Sequence, residues 1–265
     1  MRLASLYRYP VKGLSPEPLD AADLKTSDYF PGDRLFALEN GPSGFDPAAP
    51  EHQPKIKFLM LMRNGGLAGL ATRYDDATGV LTIARAGREV ARGELRSAEG
   101  RQPIEAFLTG FLGPEIRGPV RLLAAPDGFR FTDSKSGFVS LVNLASVAAI
   151  AQAQGAALDP LRFRANLYVE DMGAWAEAAL VGRTLSIGGA RLEVLKMTDR
   201  CAATGVEPGT GRRDMDIVQT LRQNFGHIDC GVYARVIAGG RIKAGDAISI
   251  LARSPLSASR SHGLM

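Results

Sequence analysis

Thr184-Leu-Ser-Ile-Gly-Gly-Ala-Arg-Leu-Glu-Val-Leu195 is the stretch whose reading decides the fold class. Residues 184–187 and 191–195 flank Gly188-Gly189, which is the pattern of two short strands joined by a tight hairpin. The chain then runs into Asp199-Arg200-Cys201-Ala202-Ala203-Thr204-Gly205-Val206-Glu207-Pro208-Gly209-Thr210-Gly211, which follows neither a strand nor a helix period and reads as a loop. Strand, glycine turn, strand and irregular loop is the motif of a β-rich chain.

The same pattern extends upstream. Residues 3–9, 19–26 and 34–39 are short strand-like runs separated by Pro and Gly. Residues 68–73 and 80–85 flank Asp75-Asp76-Ala77-Thr78-Gly79, a second hairpin signal. Ile104, Phe107, Leu108, Phe111 and Leu112 recur at helical spacing, and the expected helix is opened by Pro103 and closed by Gly113-Pro114. Another strand is expected at 120–124. The turn-rich residues 126–137 form the candidate domain boundary.

Residues 136–158 are the longest uncharged run, but Ser136, Ser140, Asn143, Ser146, Gln152 and Gln154 interrupt it. It reads as a buried helix through Leu144, Val147, Ile150 and Ala151 with Gly155 as its stop, and not as a membrane span. Downstream, 166–170 reads as a strand, and Ile217, Val218 and Leu221 mark a short helix. Residues 232–237 and 247–251 read as closing strands, and the Ser-rich 254–265 as a disordered tail. The fold class expected is α+β, mainly β, in two domains with barrel-like sheets and a few packing helices.

Composition narrows the function classes. The 265 residues are 45% hydrophobic and 23% charged, the proportions of a globular protein. Basic and acidic residues number 18 and 17 in residues 1–135, and 14 and 11 in the remainder, so neither half is a basic block for nucleic acid. Two cysteines exclude a four-thiolate iron–sulfur or zinc site and argue against a disulfide framework. Three histidines (His52, His227 and His262) leave little material for a histidine cage. The N-terminus lacks the apolar core of a signal peptide, so a cytoplasmic location is expected, with no membrane span and no nucleic-acid partner. P-loop, complete dinucleotide and nucleophile-elbow motifs are absent from the sequence.

Chemistry concentrates at Cys201. A cation beside a thiol favours the thiolate, which attacks electrophiles and binds soft metals, and Arg200 is the adjacent cation. A free cysteine can equally be a small buried hydrophobe, the reading given to Cys230. Tyr9-Pro10-Val11-Lys12-Gly13, Gly32-Asp33-Arg34 and Phe163-Arg164-Ala165-Asn166 each place a cation at a backbone turn, suited to an anionic group.

Taken in order, Tyr9-Pro-Val-Lys12, Asp33-Arg34, Phe163-Arg164-x-Asn166, Arg200-Cys201-x-x-Thr204-x-Val206-x-Pro208-x-Thr210-Gly211 and Ile242-Lys243-x-Gly245-Asp246 resemble the MOSC proteins. These are named for the C-terminal domain of molybdenum-cofactor sulfurase. The similarity extends to the mitochondrial amidoxime-reducing component and its bacterial counterparts. It implies a MOSC N-terminal β-barrel-type domain at 1–125, a MOSC domain at 126–252 and a tail at 253–265. It also implies a molybdenum cofactor, Mo-molybdopterin with a single pterin, in which Cys201 is both metal ligand and catalytic residue. Lys12, Arg34, Ser140, Asn143, Arg164, Asn166 and Arg200 would be the cofactor-binding residues; pyridoxal phosphate is not expected. The implied enzyme is a molybdenum-dependent oxidoreductase that removes oxygen from small N-hydroxylated compounds of amidoxime or hydroxylamine type. Electrons would come from a separate protein, either cytochrome b5-like or a ferredoxin or flavin reductase, since no ferredoxin domain is seen here. Gly13 stands where relatives often carry Ser. The general acid is not fixed by the pattern; Asp199 and Asp229 are candidates. Two alternatives stay open: a sulfur carrier with a persulfide on Cys201, and a non-catalytic module that binds an anionic ligand.

Overall fold

The computed structural model describes residues 1–134 and 139–252. The expected tail at 254–265 and the first residues of the uncharged run lie outside the described residues. Strands β1 (Arg2–Arg8), β2 (Glu17–Leu19), β3 (Ala21–Leu24) and β4 (Phe36–Asn40) come first. Then follow β5 (Ala71–Tyr74), β6 (Val80–Arg85), β7 (Arg88–Glu94), helix α1 (Ala98–Leu112) and β8 (Val120–Ala124). The later residues form β9 (Val139–Asn143), α2 (Leu144–Gln154), β10 (Leu167–Glu170), β11 (Thr184–Ile187) and β12 (Ala190–Asp199). Helix α3 (Ile217–Phe225) and strands β13 (Asp229–Ala238), β14 (Gly240–Lys243) and β15 (Ile248–Leu251) close the described chain.

Eight strands form the main sheet, in the order β15-β11-β12-β13-β9-β10-β1-β2. Only β9 and β10 run parallel in it. The sheet curls, because Leu3 N donates to Asp246 O at 2.9 Å and Ile248 N to Met1 O at 2.9 Å, drawing its two ends together. Its inner face buries Leu3, Leu6, Leu141, Leu167, Leu185, Leu192, Val232 and Val236. The outer face is covered by α2 and α3 over Val142, Phe163, Tyr168, Ile217 and Leu221. β1 and β2 therefore belong to the sheet of the second half, where β1 pairs with β10, and β3 pairs with β14 in a separate two-stranded sheet. The rest of the first half has its own core, where α1 lays Ile104, Leu108 and Leu112 on Leu38, Leu81, Ile83 and Leu122.

Four readings of the sequence are corrected. The uncharged run begins as a strand: every residue of β9 is buried, and a central strand covered on both faces carries no alternation to distinguish it from a buried helix. Pro103 lies inside α1; Ser97 caps the helix by accepting from Gly100 N at 3.1 Å. The polar strand β7 follows β6 through Ala86-Gly87, both at positive φ as a tight hairpin requires. The segment expected as one strand at 19–26 is divided into β2 and β3, which join different sheets.

Candidate functional site

A cavity of about 430 Å³ opens between the two halves. Its floor is a cross-strand row on the sheet face opposite the inner core, with Lys196 of β12, Tyr233 of β13 and Ser140 of β9 in register. The remaining walls come from the ends of β1 and β4, the turn before β10, and the loop after β12.

The turn after β1 and the turn before β4 interlock. Tyr9 N donates to the Asp33 carboxylate at 2.8 Å, and Arg34 N donates to Tyr9 O at 2.7 Å. Arg34 has φ 50°, as does Arg164 within a degree at 51°; both adopt the left-handed backbone that non-glycine residues rarely take. The two guanidinium carbons lie 5.0 and 4.3 Å from the centroid of the fully buried Tyr9 ring. Arg34 pairs with Asp33 and donates to Arg164 O at 3.3 Å. Arg164 has no such partner, and its Nη2 is buried without a hydrogen bond among the described residues. Burial lowers the Arg164 pKa despite the opposing effect of Tyr9. Burial also pushes the Tyr9 phenol up to about 12.

Lys12 donates to Phe131 O at 2.9 Å and pairs with Asp133. Burial lowers the Lys12 pKa, with Asp133 opposing it. Enclosure would raise the Asp133 carboxyl, but Lys12, Arg34 and Lys55 outweigh it and hold that carboxyl well below its usual range. Counting the lining side chains, Lys12, Arg34, Lys55, Arg162, Arg164, Lys196 and Arg200 face only Asp33, Asp133 and Asp199. The cavity is thus an anion trap.

Cys201 leaves β12 in extended conformation and opens the tight turn Ala202–Gly205. Its carbonyl accepts from Thr204 N at 3.1 Å and Thr204 Oγ1 at 2.9 Å. The turn is clamped from outside by Arg162, which grips Asp214 with two bonds of 2.8 and 2.7 Å and reaches Thr204 O at 3.4 Å. Gly205 is required there, since a Cβ would sit 2.4 Å from Met215 O. Gly211, at φ 76°, docks the loop on the first half, where a Cβ would meet Gly65 O at 2.8 Å. The Cys201 residue is partly exposed. Lys55, from the first half, lines the same cavity; burial opposes its charge, but Cys201 and Asp133 outweigh it and its pKa rises.

The structure brings most of the sequence-derived candidates together and separates some. Cys201, Lys12, Arg34, Arg164, Arg200, Ser140 and Asn166 all line the cavity. Asn143 does not: it caps α2, accepting from Ala145 N, and donates to Gly173 O and the buried Glu177. Ser140 and Asn166 are tied to each other by four bonds of 3.0–3.1 Å, which brace the floor. Arg200 turns back to Cys230 O at 2.7 Å and Phe163 O at 2.9 Å, so its guanidinium is committed to backbone. Asp199 lines the cavity, and Asp229 is not part of the lining. The sequence reading missed Lys55, Asp133, His52 and Lys196. Tyr9 was quoted there for its motif, with no hint of its stacking role.

Two family models match the chain. The MOSC N-terminal beta barrel domain matches residues 1–114 and the MOSC domain matches residues 129–249. No curated protein matches. Among solved structures, the YUAD protein from Bacillus subtilis is 16% identical, with 93% of each chain covered and a TM-score of 0.45. YiiM from Geobacillus stearothermophilus is 14% identical over 50% of this chain and 68% of that one, with a TM-score of 0.36. YiiM from Escherichia coli is 18% identical over 48% and 59%, with a TM-score of 0.34. No helix of the described residues is long and apolar enough to cross a membrane. With its N-terminal beta barrel model and its MOSC model together spanning most of the residues, the chain belongs to the MOSC family.

Proposed function

We propose that the cavity holds a single-pterin molybdenum cofactor and that the protein reduces N-hydroxylated compounds with electrons from a separate donor protein. The observation that carries this reading is one partly exposed thiol inside an anion trap, with Arg164 Nη2 buried and without a partner among the described residues. MOSC domains are associated with the molybdenum cofactor. The residues present suit such a group. Among the described residues no cluster of three or more His, Cys, Asp or Glu could hold a metal ion, so Cys201 fits a metal that brings its other ligands with it.

Arg164 would take the cofactor's anionic oxygens, together with Arg34 and Lys12, whose places Tyr9 and Asp133 fix. Thr198 Oγ1 and His52 Nε2, both buried and without partners among the described residues, offer further polar contacts in the cavity. Cys201 would ligate the metal, and Lys55 would balance the thiolate charge. When bound, the group supplies the two-electron chemistry. In the overall reaction an N–OH gains two electrons and two protons and leaves as N–H plus water. This chain's own work is to bind, orient and neutralise.

Turnover tests the reading. Protein from a cofactor-producing host, supplied with a reduced viologen dye, is expected to convert hydroxylamine to ammonia, and Cys201→Ala to reduce that rate to background. Full activity in Cys201→Ala, or none in wild type that carries molybdenum, would overturn it.

A further inference from the structure

A second cavity of about 600 Å³ adjoins the first, and its chemistry is the opposite. Leu14, Leu70, Leu161 and Val206 supply its walls. Ala71 and Ala84, directly opposite one another on β5 and β6, keep its strand side shallow. Its neutral polar groups are engaged with protein. Ser15 Oγ donates to Leu70 O at 2.5 Å, Thr72 N donates to Ser15 Oγ at 3.1 Å, and Ser15 N donates to Thr72 Oγ1 at 3.2 Å. Asp159 caps the turn before Arg162, accepting from Leu161 N at 2.8 Å. A ligand here would meet mainly hydrocarbon.

The two cavities share Leu61, Arg162 and Arg164 as lining. Arg162 is immobilised by its two-pronged grip on Asp214. The partition between the Cys201 cavity and the apolar one is therefore narrow, with Leu61 and Arg164, whose guanidinium forms no ion pair among the described residues, beside that fixed arginine. The apolar volume lies in the range that encloses small organic molecules. Its charged residues, Asp159, Arg162 and Arg164, all come from one short segment, and the two arginines are the ones shared with the first cavity, while β5 and β6 contribute alanine. This is the chemistry of an amphiphile seated with its polar end toward Cys201.

We propose that this second cavity receives the apolar body of an N-hydroxylated substrate, an amidoxime or hydroxamic acid on an aromatic or aliphatic skeleton, while its N–OH end reaches past Leu61, Arg162 and Arg164 into the Cys201 cavity. The substrate assignment rests on the reductase reading above; the location of the apolar body does not. Substrates with a carbon skeleton are then preferred over hydroxylamine itself, because burial of that skeleton adds binding that hydroxylamine lacks.

Ala84→Phe and, separately, Ala71→Phe test this. Both positions are strand residues outside the hydrophobic cores, and an aromatic side chain is well tolerated on a strand. The ratio of KM for benzamidoxime to KM for hydroxylamine is expected to rise about tenfold or more in either variant. Calorimetric binding of benzamidoxime to the same protein is expected to weaken by a similar factor, with molybdenum content as in wild type. An unchanged ratio and unchanged affinity in both variants would overturn the proposal, as would absence of benzamidoxime binding to wild type. If wild type carries no molybdenum and turns over neither compound, yet binds benzamidoxime in a manner both variants weaken, the cavity assignment stands and the reductase reading falls.

Discussion

The two cysteines occupy opposite environments, although one arginine lies near both. Cys201 ends a strand, is partly exposed and lines the charged cavity together with Lys55. Cys230 sits on β13 within the helix-covered core, packed with Val142, Ile217 and Leu221, and burial pushes its thiol up to about 12. Arg200 immediately precedes Cys201 in the chain, yet its guanidinium binds the carbonyl of Cys230. Lys55, 146 positions earlier in the sequence, lines the same cavity as Cys201 and is electrostatically coupled to it. Sequence adjacency places Arg200 beside Cys201, whereas the fold turns its guanidinium to the Cys230 carbonyl and brings Lys55 into the cavity from far along the chain.

The largest expected contrast is in reactivity. Under native conditions iodoacetamide should alkylate Cys201 at least about a thousandfold faster than Cys230, which needs an opening of the fold to react. Peptide mass mapping over time measures this. Equal rates would break the comparison between the two environments.

A second contrast sets Arg162 against Arg164. Arg162→Ala strands Asp214 beside a buried gap and should destabilise by about 2–3 kcal/mol, below the full cost for a buried pair because Asp214 is 27% exposed. Arg164→Gln removes a guanidinium with no ion pair among the described residues and should change stability by about 0.5 kcal/mol or less. Denaturant midpoints give both values. A large loss in Arg164→Gln would mean that this side chain serves the fold more than a ligand.

The Asp133 carboxylate gives a pH test. Its folded pKa lies below its unfolded value, so its contribution to stability is present above pH ~4 and is lost as the pH falls through the depressed folded value. Stability measured from pH 6 to pH 2 should therefore fall less steeply in Asp133→Asn than in wild type. A steeper fall in the variant would contradict the Lys12–Asp133 pairing. The smallest effect expected is in Cys230→Ala, which removes one buried sulfur and should cost about 1 kcal/mol while leaving the Cys201 cavity untouched.

Much of the architecture was legible where local rules act alone. The hairpin at Gly188-Gly189, the helix stop at Gly155 and the short helix after Asp216 follow from turn and capping chemistry. The residues carried by the family resemblance, Lys12, Arg34, Arg164 and Cys201, come from distant parts of the chain and lie around one cavity. What was illegible depends on long-range pairing. Nothing local to β1 and β2 says that they complete the sheet of the second half, nor to β3 that it pairs with β14. Nothing in Gln53-Pro54-Lys55-Ile56-Lys57 distinguishes a lysine aimed into a cavity from one in solvent. Asn143 is a cofactor contact only by the family resemblance; in the fold it caps α2 by accepting from Ala145 N and donates to the buried Glu177, partners that the sequence around it does not reveal.

The central claim is that Cys201, and not Cys230, anchors a metal-bearing cofactor. Elemental mass spectrometry on protein purified anaerobically from a cofactor-producing host, beside Cys201→Ala and Cys230→Ala, tests it most directly. Wild type and Cys230→Ala should carry about one molybdenum per chain, and Cys201→Ala only background. Full molybdenum in Cys201→Ala, or a wild type with no molybdenum and an added sulfur on Cys201, would contradict the account.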